Sequence, residues 1–282
     1  MSTWILLRGL TRETRHWGRL PAALRETLGQ SPDAATPNAT TTTGLHLLLL
    51  DLPGNGEYVR RRAPASVTGI VAFVRQSARE TGVPGPYNVI AMSLGGMVAT
   101  DWAQRHPGEI ERLVLINTSM RPFSRMHERL RPSAWPGLLG VAAHWGDAAD
   151  AESGIHRLTC NNLDTLGADL AAWTTIRRSA PVSRANALRQ LWAAARFSAA
   201  PAAPGCALLI LSSAADGLVN PLCSAKLAAA WGAPHREHPW AGHDLPHDDP
   251  AWTAAQIRAW LTQRAEDSNA AAPGPAPAKP AR

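Results

Sequence analysis

The sequence predicts an α/β fold: a mostly parallel sheet of about six strands with helices on both faces, interrupted by an inserted helical lid. Three observations carry this. Six short apolar runs (Trp4 to Leu7, His46 to Leu50, Tyr87 to Met92, Leu113 to Asn117, Ala207 to Ser212 and His235 to Pro239) are mostly continuous rather than alternating, the pattern of strands covered on both sides. Stretches at helical spacing separate them, Trp17 to Leu28, Ala65 to Glu80, Leu94 to Arg105, Pro221 to Trp231 and Ala251 to Arg264, and strand–helix alternation of this kind builds a parallel sheet. Residues 120–204 break the alternation: they lose the β-branched runs and become rich in Arg, Trp, Ala and Leu at helical spacing. Residues 1–119 and 205–264 are therefore expected to form one core, with 120–204 as the lid. Residues 265–282, rich in Ala and Pro without apolar periodicity, are expected to form a disordered tail.

Composition bounds the function. A chain of 282 residues with 45% hydrophobic and 18% charged side chains can bury roughly three quarters of its unfolded surface. The longest apolar runs fall far short of the roughly 18–20 residues of a membrane span, and the first residues lack both a cationic leader and an apolar region of secretory length, so a cytoplasmic protein is expected. The net charge of +6 invites a nucleic-acid reading. The arginines are spread along the chain, however, and no basic block alternates with stacking aromatics, so no nucleic-acid partner is expected. Cys160, Cys206 and Cys223 are odd in number and widely spaced, which supports neither a disulfide framework nor a Cys-x-x-Cys site. Oligomeric state is not legible.

Each strand ends in a loop with its own chemistry. The first runs into Arg8-Gly9-Leu10-Thr11-Arg12, and the second into Asp51-Leu52-Pro53-Gly54-Asn55-Gly56. The third gives the sharpest signal, Ala91-Met92-Ser93-Leu94-Gly95: a buried strand runs straight into a serine and then a helix, with small residues two before and two after. Such a turn forces one side chain into a strained, exposed position, where bulk at Ala91 or Gly95 would meet neighbouring backbone. Ser93 would also sit at a helix N-terminus, where free N–H groups favour developing negative charge. The plainer reading makes it an ordinary helix cap.

Here the sequence resembles the α/β-hydrolase family, whose nucleophile turn reads small-x-Ser-x-Gly, with Ala91 in place of the commoner first glycine. The resemblance continues through Arg105-His106-Pro107-Gly108 to Asn117-Thr118 and back to the Asp51–Gly56 turn, and spans nearly everything except the middle segment and the tail. It implies a serine hydrolase of carboxylesterase type acting on an ester or thioester, with no cofactor. A serine in this place argues against the family's dehalogenases and epoxide hydrolases, which need a carboxylate nucleophile. The family's order is serine, acid, histidine. Ala214-Ala215-Asp216-Gly217 after the fifth strand resembles the acid loop and nominates Asp216; Trp240-Ala241-Gly242-His243 after the sixth resembles the histidine loop and nominates His243. The oxyanion donors implied are the backbone N–H groups of Leu94 and Leu10. Arg8 stands where the family carries a histidine, which alters the loop's internal hydrogen bonding. With the oxyanion strand beginning at Trp4, the sheet is expected to be trimmed to about six strands, without the family's two leading antiparallel ones.

Plainer alternatives attach to several of these. Asp before Gly is often a turn former, and His243 could be an exposed loop residue. His235, His238, His243 and His247 with Asp244, Asp248 and Asp249 could suggest a metal, but without a His-Glu-x-x-His helix none is expected. In the lid, Trp135, Trp145, Trp173, Trp192, Leu138, Leu139, Leu163 and Leu166 could line a pocket or simply pack internally. Arg121, Arg125, Arg129 and Arg131 form either a solvated face or an attraction for an anionic or carrier-bound substrate. An acyltransferase or a carbon–carbon bond hydrolase could use the same three residues, and a non-catalytic binding protein could keep the fold.

Overall fold

The computed structural model describes residues 2–29 and 44–270. In chain order it contains β1 (Ser2–Leu7), α1 (Leu20–Gly29), β2 (Leu45–Leu50), α2 (Val67–Glu80), β3 (Tyr87–Met92), α3 (Leu94–Arg105) and β4 (Ile110–Ile116). The helices α4 (Met126–Arg129), α5 (Trp135–Ala143), α6 (Ala148–Thr159), α7 (Leu166–Ser179) and α8 (Arg184–Arg196) follow. The chain returns to the sheet with β5 (Ala207–Ser213), α9 (Leu222–Trp231), β6 (His235–His238), α10 (Leu245–Asp248) and α11 (Pro250–Ala270). The expected helix beginning at Trp17 opens instead with a 3-10 turn, Thr14–Trp17, before α1. The last helix runs past Arg264 to Ala270, so the tail does not begin at residue 265. The rest of that expected tail lies outside the described residues.

Among the described residues the sheet has six strands in the order β2-β1-β3-β4-β5-β6, every neighbouring pair parallel. Successive residues of the inner strands point to opposite faces, and both faces are apolar. Ile5, Leu7, Val89, Ala91, Leu113, Leu115 and Ile210 pack under α2, α3 and α9. Trp4, Leu6, Ile90, Met92, Val114, Ile116, Leu209 and Leu211 pack under α1 and α11. Two-sided burial is why these strands read as unbroken apolar runs. Strand order reverses between β1 and β3, and the loops at the C-terminal ends of strands flanking such a switch point form the crevice where open α/β sheets place their ligands.

The insertion from α4 to α8 is fastened to the core by buried polar contacts. Glu152 on α6 accepts from Arg12 Nη1 (2.6 Å) and from Arg177 Nη1 on α7 (3.1 Å); Arg12 stacks over Trp173 and Arg177 over Trp145. Gln190 on α8, fully buried, accepts from Thr11 N–H (2.9 Å) and donates to Pro53 O and Asn55 Oδ1. No helix among the described residues is long and apolar enough to cross a membrane.

Candidate active site

Ser93 leaves β3 with φ 54° and ψ −119°, a left-handed conformation that costs a residue with a β-carbon of order 1–3 kcal/mol and persists only where packing over-determines it. Packing does so here. A β-carbon on Gly95 would lie 2.4 Å from Leu7 O, and one on Gly96 would lie 2.7 Å from the Thr118 side chain. The serine backbone is pinned from both sides: Ser93 N–H donates to Ile116 O (3.0 Å), and Thr118 Oγ1 donates to Ser93 O (2.8 Å). Since Leu7 and Ala91 are registered partners, Gly9 and Ser93 stand side by side beyond the sheet, where a β-carbon on Gly9 would lie 3.1 Å from Ser93 Cβ. Among the described residues neither Leu10 N–H nor Leu94 N–H donates to a protein acceptor, and both residues line the same cavity as Ser93.

Asp216 and His243 meet in the loops after β5 and β6. Asp216 Oδ2 lies 2.7 Å from His243 Nδ1, and Asp216 Oδ1 accepts from Leu218 N–H and Val219 N–H at 2.8 and 2.9 Å, so both carboxylate oxygens are engaged. A carboxylate can only accept, which puts the imidazole proton on Nδ1 and leaves Nε2 with a lone pair. Burial works against a charged His243, but the charge and hydrogen bond of Asp216, helped by Asp244, outweigh it and hold the imidazole above the ordinary histidine range. His243 and Ser93 line one cavity of about 500 Å³. No hydrogen bond to the Ser93 hydroxyl forms among the described residues.

Three side chains that sequence reasoning missed hold this geometry. Arg8 makes a bidentate pair with Asp244, at 2.9 and 2.6 Å, with both side chains almost wholly buried. That pair is what the arginine in the histidine position does: it ties the loop after β1 to the residue following His243. Burial alone would raise the Asp244 carboxyl, but the charge and hydrogen bonds of Arg8 hold it down at about 2. Asn117, at φ 44°, donates to His243 O (2.8 Å) and Ser213 Oγ, and accepts from Ser213 N–H. Asp248 accepts from Gly242 N–H (2.6 Å) and from Asn161 and Asn162 N–H. Asn117 had a legible signal, an amide side chain ending a buried apolar strand; the other two required tertiary contacts. The turn after β2 serves the fold rather than the chemistry, because Asp51 accepts from Thr14 N–H and Glu57 N–H, and a β-carbon on Gly56, at φ +49°, would lie 1.8 Å from its carboxylate.

The cavity walls come largely from the insertion and are apolar, with Met126, Leu130, Leu138, Val141, Leu158 and Leu191 among them. Of the aromatic candidates, Trp145 also lines it, Trp173 is buried, and Trp135 and Trp192 are exposed. The basic face is largely committed to backbone carbonyls: Arg121 donates to Arg196 O, Arg129 to Ala194 O and Arg131 to Asp216 O. The four histidines weighed as a metal cluster go separate ways, with His238 against Asp249, His235 against Ser212, His243 on Asp216 and His247 against Asp169. A second, more open cleft of about 550 Å³ lies by the starts of β4 and β5, and its lining holds no serine or histidine.

A parallel sheet with a strained serine after β3 and an acid–histidine pair after β5 and β6 defines the α/β-hydrolase class. A model of the alpha/beta hydrolase family matches residues 5–256; the chain belongs to that family. It is 31% identical to a pimeloyl-[acyl-carrier protein] methyl ester esterase of Chromobacterium violaceum over 127 residues, covering 39% of this chain and 44% of that protein. It is also 31% identical to the biotin biosynthesis bifunctional protein BioHC of Teredinibacter turnerae over 118 residues, covering 42% of this chain and 17% of that protein. The chain thus spans less than half the length of these curated relatives. Among solved structures, the enol-lactonase from Burkholderia xenovorans LB400 superposes with a TM-score of 0.69 at 20% identity, covering 93% of this chain and 91% of that one. The esterase from Thermogutta terrifontis gives 0.66 at 19% identity, covering 93% and 90%.

Proposed function

We propose that the protein is a serine hydrolase cleaving a carboxylic ester or thioester through an acyl-enzyme intermediate. The observation that carries this reading is the placement of the strained Ser93 and the Asp216-anchored His243 on one apolar cavity. Ser93 Oγ attacks the acyl carbon while His243 Nε2 takes its proton. The oxyanion accepts from Leu10 and Leu94 N–H, each such donor being worth on the order of 100-fold or more in rate. His243 then protonates the departing alcohol or thiol, and a water, activated by the same imidazole, releases the acid and restores Ser93. Asp216 fixes the ring and stabilises its charged form. The insertion serves as the lid: its apolar walls would receive the acyl chain, and residues 120–204 would set acyl preference.

The curated relative acting on a carrier-linked methyl ester makes an acyl-carrier substrate worth testing beside simple esters, although the committed arginines argue that the basic face has structural work. A fluorophosphonate probe should label the wild type at Ser93 and leave Ser93→Ala unlabelled, and p-nitrophenyl esters of graded chain length should turn over only with the wild type. A folded wild type that neither labels nor turns over any of these esters would remove the catalytic reading in favour of a binding protein. Product analysis with an added alcohol acceptor separates hydrolysis from acyl transfer.

A further inference from the structure

Beside the histidine loop the insertion meets α10 in a cluster of metal-ligating side chains that do not line the cavity and that the proposed reaction does not use. His156 lies in the last turn of α6 and Cys160 is the extended residue that caps it, its N–H donating to His156 O. His247, on α10, faces them, and the ligand atoms of the three lie within 4.8 Å of one another. From α7, Asp169 brings Oδ2 to 3.1 Å from His247 Nε2 and 3.8 Å from His156 Nε2. The side chains of His156 and His247 are 1% and 9% exposed, yet neither Nε2 has an aligned hydrogen-bond partner. His156 Nε2, buried and 3.8 Å from the nearest carboxylate oxygen, is left a desolvated polar atom without compensation.

We propose that His156, Cys160, His247 and Asp169 form a site for a zinc-class divalent metal that clamps α6 and α7 of the insertion to the helix following His243. Two imidazoles, a thiolate and a carboxylate are a donor set suited to tetrahedral zinc. Bonds of about 2.0–2.3 Å place tetrahedral ligand atoms about 3.3–3.6 Å apart, so on loading His156, Cys160 and His247, now within 4.8 Å of one another, draw together while Asp169 and His247, at 3.1 Å, move slightly apart. Cys160 releases its proton to solvent as the sulfur–metal bond forms. The clamp is independent of the catalytic reading, since none of its ligands contributes to the proposed acyl transfer.

The test uses untagged full-length protein, stripped with chelator and then titrated with Zn²⁺ and, separately, with Co²⁺. The expected results are stoichiometric zinc, a higher melting temperature with metal, and a cobalt spectrum with a thiolate-to-metal charge-transfer band. In Cys160→Ser the band should vanish, and in His247→Gln affinity should fall by at least about tenfold, the scale of loss that even a change outside the ligand sphere brings. Folded wild type that takes up no metal, a cobalt spectrum without the thiolate band, or uptake unchanged in both variants would each overturn the proposal. Should Cys160→Ser not fold, the wild-type spectrum and His247→Gln still decide it.

Discussion

Ser93 holds a backbone conformation that its own chemistry disfavours, and its neighbours make every alternative worse: Gly95 and Gly96 admit the turn only because they lack a β-carbon. The same over-determination applies to His243, whose ring is fixed through Nδ1 and whose carbonyl is held by Asn117. Asp216→Asn should therefore leave the fold intact while lowering kcat on the order of 10³–10⁴-fold, because an amide can stabilise the wrong tautomer and cannot stabilise an imidazolium. The sign of the pH effect follows from the base role. In the proposed base role His243 must be neutral to accept the serine proton, and Asp216 holds its pKa above the ordinary value, so kcat/KM should rise with pH through a limb above the usual histidine range. In Asp216→Asn that limb should move to lower pH; a limb that stays put would show that it belongs to another group.

At the scale of elements, the site is assembled by loops that hold one another. Arg8–Asp244 joins the loop after β1 to the segment that starts α10, and removing one partner of a buried pair strands the other charge, at a cost of about 3–5 kcal/mol. Asp244→Asn should lower the melting temperature and weaken kcat, and Arg8→Met combined with Asp244→Leu should recover stability beyond either single variant. The Asp244 carboxyl sits at about 2 in the fold, below its unfolded value of about 3.9, so its contribution is whole above about pH 4 and fades as pH falls toward 2. The stability gap between wild type and Asp244→Asn, followed by denaturant unfolding, should narrow over that interval. The strands and the strand-end loops were legible because a strand buried on both faces leaves an unbroken apolar run and a nucleophile turn demands small residues at fixed places. The partner of Arg8 was not, because Asp244 lies 236 positions away in the chain and nothing local marks it.

For the whole molecule, the question is how an insertion of helices becomes one body with the sheet. Glu152 sits between Arg12 of the core and Arg177 of α7, and Gln190 plugs the loops after β1 and β2. Glu152→Gln should leave two buried guanidinium groups without their shared anion and destabilise the protein by about 3–5 kcal/mol, measured by thermal or denaturant unfolding. A change within about 0.5 kcal/mol would mean that water already reaches this triad. Helical spacing in residues 120–204 announced the helices, but their docking rests on single polar residues at wide separation.

Alternating apolar and helical segments determined the sheet and its parallel sense, and the strand–serine–helix turn marked Ser93, since periodicity and turn sterics are local properties of a chain; Asp216 and His243 were nominated by the likeness of their loops to the family's. Tertiary structure alone decided which arginines are tied to carbonyls, what Arg8 pairs with, and which histidine joins His156 and Cys160. Those outcomes depend on which distant groups share a desolvated volume, where an unpaired charge or lone pair is costly, and that volume does not exist until the layers have packed.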